Sequence, residues 1–327
     1  MGSLPHIVED CMGVLQLFSD GTVFRSQNIN FKNPVVHDNS VLFKDYLFDE
    51  KLNLHLRMYK PTSTKSNCNN LIIPIIVFIH GGGFCVGSRT WPSSHNCCVR
   101  LASGLGALVV APDYRLAPEH RLPAAMDDIV SALRWVQKQR QGLSESGGDA
   151  WLSGTLDFDR VFIVGDSSGG NIAHHLAVRF GSAEKDPTRM RVRGYLLLAP
   201  FFGGEVRTKS EEGPSEELLN LEILDRFWRL SLPAGENRDH PLANPFGPAS
   251  PRIESLALDP ILVIVGGCEL LKDRAEDYAK RLKEVGKKIE YVEFEGKQHG
   301  FFTHDPYSEV SNEVMQIIKR FMLENSN

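Results

Sequence analysis

Gly165-Asp166-Ser167-Ser168-Gly169 directly follows the apolar run Arg-Val-Phe-Ile-Val at 160–164 and precedes a helical pattern. A serine on a sharp strand-to-helix turn projects its hydroxyl out of a sheet, and the turn brings its neighbours into near contact. Glycine two residues to either side removes the Cβ atoms that would clash there. The pattern predicts Ser167 as a nucleophile for acyl transfer. His80-Gly81-Gly82-Gly83-Phe84 ends a second apolar run at 75–79 and places side-chain-free backbone at the same sheet edge. Acyl transfer develops negative charge on a carbonyl oxygen. Amides of Gly81 and Gly82, with that of Ser168 at a helix N-terminus, are expected to form an oxyanion hole that stabilises this charge by a few kcal/mol. A phosphate-cradling loop is disfavoured, because neither Walker A spacing nor a complete Gly-x-Gly-x-x-Gly occurs.

A serine nucleophile needs a base, and the base needs an orienting carboxylate. Among the 11 histidines only His299 and His304 follow the last expected strand, and His299 lies in the short loop after 291–294. His299 is therefore the expected general base, and His304 a solvated loop residue. The run Ile261–Val265 leads through Gly266-Gly267 to Glu269, which should emerge at the sheet edge as the acid. Asp273 is its rival, although its place at the start of the next helix also suits a cap. Cys268 reads as a buried small hydrophobe. His174-His175 reads as helix core and surface, since no carboxylate or thiol stands at metal-site spacing. Phe227 and Trp228 read as helix core in preference to a substrate pocket.

The elements that must carry these groups alternate. Short β-branched runs at 75–79, 107–111, 160–164, 192–198, 261–265 and 289–294 are separated mostly by longer helical patterns, including 123–140, 169–180, 272–285 and 308–323. That alternation predicts a largely parallel sheet covered on both faces. Upstream, 14–18, an Asp20-Gly21 turn, 22–25, 41–48 and 54–60 read as a hairpin and further antiparallel edge strands of a mixed sheet. Residues 1–40 and the Gly- and Pro-rich segment 201–251, which holds the amphipathic stretch 215–230, fall outside the alternation. Both are expected to form a cap over the C-terminal edge of one domain spanning 1–327.

Composition bounds the function. With 42% hydrophobic and 24% charged residues over 327 positions, the chain has ample material for a core. A formal charge of -5 without a block of like charges argues against a nucleic-acid or headgroup partner. The longest strongly apolar run, 71–79, contains Pro74 and falls well short of the roughly 20 residues of a membrane helix. No signal-peptide or myristoylation pattern opens the chain, and the 6 cysteines lack disulfide-scaffold spacing. A cytoplasmic protein with reduced thiols is expected, a nuclear location also being compatible.

Taken together, the His-Gly-Gly-Gly loop, Asp113-Tyr114-Arg115-Leu116-Ala117-Pro118-Glu119-His120 with Pro123-Ala124-Ala125, and Gly165-Asp166-Ser167-Ser168-Gly169-Gly170-Asn171 resemble the hormone-sensitive-lipase-like branch of the α/β-hydrolases. Phe201-Phe202-Gly203-Gly204, Asn244-Pro245-Phe246-Gly247-Pro248 and the first residues are similar to plant carboxylesterases of a strigolactone-hydrolysing type. The resemblance implies an α/β-hydrolase fold, a catalytic set of Ser167, Glu269 and His299, and an oxyanion hole from Gly81, Gly82 and Ser168. It implies a small-molecule ester or lactone as partner, no cofactor or metal, and a monomer or homodimer. One departure is visible: the wider family usually has Asp-Pro at the acid position, whereas Glu269-Leu270 stands here. The same branch holds gibberellin receptors, which bind a hormone and lack the catalytic histidine, and hydroxyisoflavanone dehydratases. A receptor, a dehydratase or a broad xenobiotic esterase are thus the alternatives.

Overall fold

The computed structural model describes residues 4–62, 72–142, 151, 156–182, 190–216 and 219–326. At its centre is an eight-stranded sheet built from β4 (Val41–Asp49), β5 (Leu54–Pro61), β6 (Ile73–Ile79), β7 (Leu108–Pro112), β8 (Leu156–Asp166), β9 (Val192–Leu198), β10 (Ile261–Gly266) and β11 (Ile289–Phe294). The strand order is β11-β10-β9-β8-β6-β7-β5-β4. Pairing is parallel from β11 to β7, while β5 joins β7, and β4 joins β5, antiparallel.

The reason for two covered faces is visible along β6. Its sequence IPIIVFI is apolar at every position, and side chains alternate across a strand. Ile73, Ile75, Val77 and Ile79 enter one core cluster; Ile76 and Phe78 enter the other. The first cluster is covered by α2 (Ala124–Gly142), α3 (Ser168–Gly181) and α5 (Lys272–Glu284). The second is covered by α1 (Pro92–Leu105), the one-turn α6 (Phe301–His304) and α7 (Glu309–Glu324). In α7 the stripe Val314, Met315, Ile318, Phe321, Met322 is buried at helix spacing, as the sequence pattern requires. Helix α1 goes beyond the sequence expectations, although Pro92 at its start and Gly106 in the left-handed conformation at its end mark its bounds. Among the described residues no helix is long and apolar enough to cross a membrane.

One upstream expectation is corrected. The hairpin forms, as β2 (Leu15–Phe18) and β3 (Val23–Arg25), but with β1 (Ile7–Cys11) it makes a separate three-stranded antiparallel sheet and not an edge of the central one. The cause is tertiary. Glu9 bridges Arg226 and Arg229 of α4 (Leu221–Ser231), while Arg25 binds Glu119 and the carbonyl oxygens of Cys85 and Ala117. Within the amphipathic stretch at 215–230, α4 starts at Leu221, where the Asn220 side chain accepts from the Ile223 N–H at 2.9 Å and caps the helix.

Candidate active site

Ser167 joins β8 to α3 with φ 53° and ψ −113°, a backbone conformation that non-glycine residues rarely adopt. The flanking glycines make it possible. A Cβ on Gly165 would lie 2.0 Å from the Gly169 oxygen, and one on Gly169 would lie 2.1 Å from the Ile79 oxygen. Both clashes are with backbone, which cannot swing aside. Gly165→Ala is accordingly expected to lower unfolding free energy by about 3 kcal/mol. A urea denaturation midpoint equal to that of the unchanged protein would remove the steric argument.

Parallel pairing of β10 and β11 runs through Gly266 opposite Phe294, so the loops after both strands leave the same edge of the sheet. One carries Glu269, 2% exposed; the other carries His299. The Nδ1–H of His299 donates to Oε2 of Glu269 at 2.9 Å, and Oε1 of Glu269 accepts from the Gly266 N–H at 3.0 Å. Nε2 of His299 is left to act as a base. Burial alone would pull the imidazole pKa down, but the hydrogen bond and charge of Glu269, with the charges of Asp166 and Glu216, hold it above its ordinary value. Burial pushes the Glu269 carboxyl up, against the opposing effect of His299. Burial likewise raises the Asp166 carboxyl, whose Oδ2 accepts from Thr303 at 3.3 Å.

Ser167, His299, Gly81 and Gly82 line one cavity of about 640 Å³. Gly81 packs directly on the Ser167 turn, since a Cβ there would sit 3.1 Å from the Asp166 oxygen and 3.2 Å from the Ser167 Cβ. Gly82, at φ 111°, turns its carbonyl to the N–H groups of Cys85 and Val86, both at 3.0 Å. The N–H groups of Gly81, Gly82 and Ser168 donate to no protein acceptor among the described residues. Gly83 lies against the ring of Phe227, which a Cβ would meet at 2.3 Å. Cavity walls come from both segments outside the alternation, including Asn28 and Phe31 from the first and Leu219, Leu224 and Phe227 from the second.

Other sequence expectations divide. Asp273 is not brought to His299: its Oδ2 accepts from the Ser210 N–H at 2.8 Å, and the cap position of α5 is Leu271. The expected cap is thus replaced by a tie to the 201–251 segment. Cys268 is exposed, not buried as expected, while Glu269 beside it is buried. His304 is exposed as expected, but at the end of α6 on the cavity rim, where Asn33 Nδ2 donates to its carbonyl at 2.6 Å. His174 is core, paired with the Tyr278 hydroxyl at 2.9 Å. Trp228 stacks on Phe201 at 4.1 Å in the core, whereas Phe227, one residue earlier, faces the cavity. Two groups escaped the sequence reading. Phe31 and Trp91 pair edge to face at 5.1 Å on the wall, and Glu216 reaches the His299 loop. Neither belongs to a local motif.

A family profile described as alpha/beta hydrolase fold matches residues 76–303. This chain belongs to that family. The α/β-hydrolase is 37% identical over 288 residues to "Probable carboxylesterase 6" of Arabidopsis thaliana, covering 86% of this chain and 82% of the relative. It is also 37% identical over 281 residues to "Gibberellin receptor GID1C" of the same plant, covering 83% and 76%. Among solved structures, an esterase of Pyrobaculum calidifontis superposes with a TM-score of 0.69 at 28% identity, covering 90% and 87% of the two chains.

Proposed function

We propose that this α/β-hydrolase is a serine carboxylesterase in which Ser167 is the nucleophile, His299 the general base and Glu269 the acid that orients it. The observation that carries the reading is the 2.9 Å Glu269–His299 hydrogen bond at a cavity shared with the strained Ser167 turn. Ser167 Oγ attacks the acyl carbon as His299 Nε2 takes its proton, giving a tetrahedral oxyanion received by the amides of Gly81, Gly82 and Ser168. The imidazolium returns the proton to the departing alkoxide, leaving an acyl-enzyme. Water then attacks the acyl carbon, His299 takes a proton from it, and the carboxylic acid leaves as Ser167 regains its hydrogen. No cofactor takes part.

The cavity volume suits a small organic ligand, and its walls of Phe31, Trp91, Val86, Leu224 and Phe227 favour an apolar ester or lactone. Within that class the substrate is a strigolactone, as the sequence likeness to the carboxylesterase 15 type suggests. Attack on the butenolide carbonyl opens that ring and releases the tricyclic part, ending the hormone signal. Segments 1–40 and 201–251 serve as the cap over this cavity, in a cytoplasmic protein. Incubation with a strigolactone and with simple esters, followed by mass spectrometry, tests the assignment: hydrolysis adds one water to the substrate, dehydration removes one, and a receptor returns it unchanged. The receptor reading draws on the likeness to GID1C; turnover of p-nitrophenyl acetate counts against it.

The pH profile follows from the base. His299 acts only when neutral, and its pKa is held above the ordinary 6.5. Activity should therefore fall on acidification through a midpoint above 6.5, read as the acidic limb of kcat/KM. A midpoint below 6.5 would mean that burial outweighs the carboxylates around the imidazole.

A further inference from the structure

Glu216 lies in the 201–251 segment, 9% exposed, and its carboxylate is fully engaged by two loops of the site. Oε1 accepts from the Leu270 N–H at 2.7 Å, and Oε2 accepts from the His299 N–H at 2.6 Å. Leu270 directly follows the acid and His299 is the base, so one carboxylate spans both loops. Its own N–H donates to the Leu219 oxygen at 2.8 Å, and Leu219 lines the cavity. A carboxylate is costly to bury, and charge-assisted bonds to backbone amides are among the contacts that offset that cost.

Resting on the esterase reading, we infer that Glu216 is a positioning residue, whose carboxylate clamps the acid loop to the base loop and ties both to the cavity wall. The clamp acts on the backbone of the two loops and fixes the distance at which Glu269 meets Nδ1 of His299. Its charge also favours the imidazolium that forms as Ser167 gives up its proton. The groups facing His299 are Glu269 from the β10 loop, Asp166 at the end of β8 and Glu216 from the cap segment. His304 and His80 face Asp166 in turn.

Kinetics of Glu216→Gln, Glu216→Asp and Glu205→Gln test this. Glu205 is in the same segment but pairs with Arg238 at 3.4 Å, and among the described residues it makes no hydrogen bond or ion pair to either loop. Glu216→Gln is expected to lower kcat by about 10- to 100-fold, the scale of a small misplacement of reacting groups, with KM changed less than about twofold. Its acidic limb should move to lower pH, because loss of the negative charge makes the imidazolium easier to deprotonate. Glu216→Asp should restore the limb while recovering only part of kcat, and Glu205→Gln should leave both as they were. An unmoved limb with kcat intact, or a loss confined to KM, would overturn the clamp. A second measurement needs no variant and no turnover: in the NMR spectrum of the unchanged protein, the amide protons of Leu270 and His299 should lie far downfield. Ordinary amide shifts there would overturn the clamp. Downfield shifts in a protein that hydrolyses no ester would remove the esterase reading, and with it the catalytic purpose given to the clamp.

Discussion

Ser167→Ala is expected to reduce kcat/KM for p-nitrophenyl acetate by on the order of 10⁴- to 10⁶-fold, the loss seen when a serine nucleophile is removed. The hydroxyl is the only group in the proposed sequence that forms a covalent bond to the acyl carbon, so no neighbour can take its place. Residual turnover would come from the amides of Gly81, Gly82 and Ser168, which are backbone and survive the change. The fold should survive as well. Alanine keeps the Cβ that already fits at φ 53°, and the clashes that define the turn belong to Gly165 and Gly169. Unchanged thermal unfolding beside lost turnover is the expected pair of results; activity within about tenfold of the unchanged protein would point to another nucleophile.

The second large effect separates the two carboxylates. Glu269→Ala is expected to lower kcat by on the order of 10⁴-fold, as loss of the triad acid does elsewhere. The imidazole would lose the acceptor that selects its tautomer, and the Gly266 N–H would be left buried without its partner. Glu269→Gln removes the charge at nearly constant volume and should show a similar kcat loss with a smaller effect on stability. Asp273→Ala is expected to keep kcat within about tenfold. Its cost falls on stability, by about 1 kcal/mol, because the lost acceptor serves the Ser210 N–H and not His299. A larger kcat loss for Asp273→Ala than for Glu269→Ala would reverse the assignment of the acid.

The parts of this site that were legible in the sequence are those dictated by local sterics. The Gly165–Gly169 turn was legible because the clash that Gly165 avoids is local, with Gly169 four residues on, although the clash that Gly169 avoids is with Ile79 of the adjoining strand. His299 was legible through chain order and its loop position. Glu269 and Asp273 stand four residues apart, and what separates them is tertiary: Glu269 accepts from His299, whereas Asp273 accepts from the Ser210 N–H. The first hairpin is a true local signal, yet nothing local says which sheet it joins; that is decided by Glu9 meeting Arg226 and Arg229 far along the chain. Phe227 and Trp228 differ by one step of about 100° around α4, so a stripe pattern alone could not divide cavity wall from core. Glu216 had no signal, since its partners are main-chain amides of loops remote in sequence.

The most direct test of a catalytic set centred on Ser167 is covalent trapping. The protein is treated with an organophosphate that phosphorylates activated serines, and the adduct is mapped by peptide mass spectrometry. A single adduct on Ser167, formed rapidly and suppressed by at least about a hundredfold in His299→Ala, is the expected result. An adduct on another residue, or labelling of Ser167 at the same rate without His299, would contradict the claim that this imidazole activates this hydroxyl.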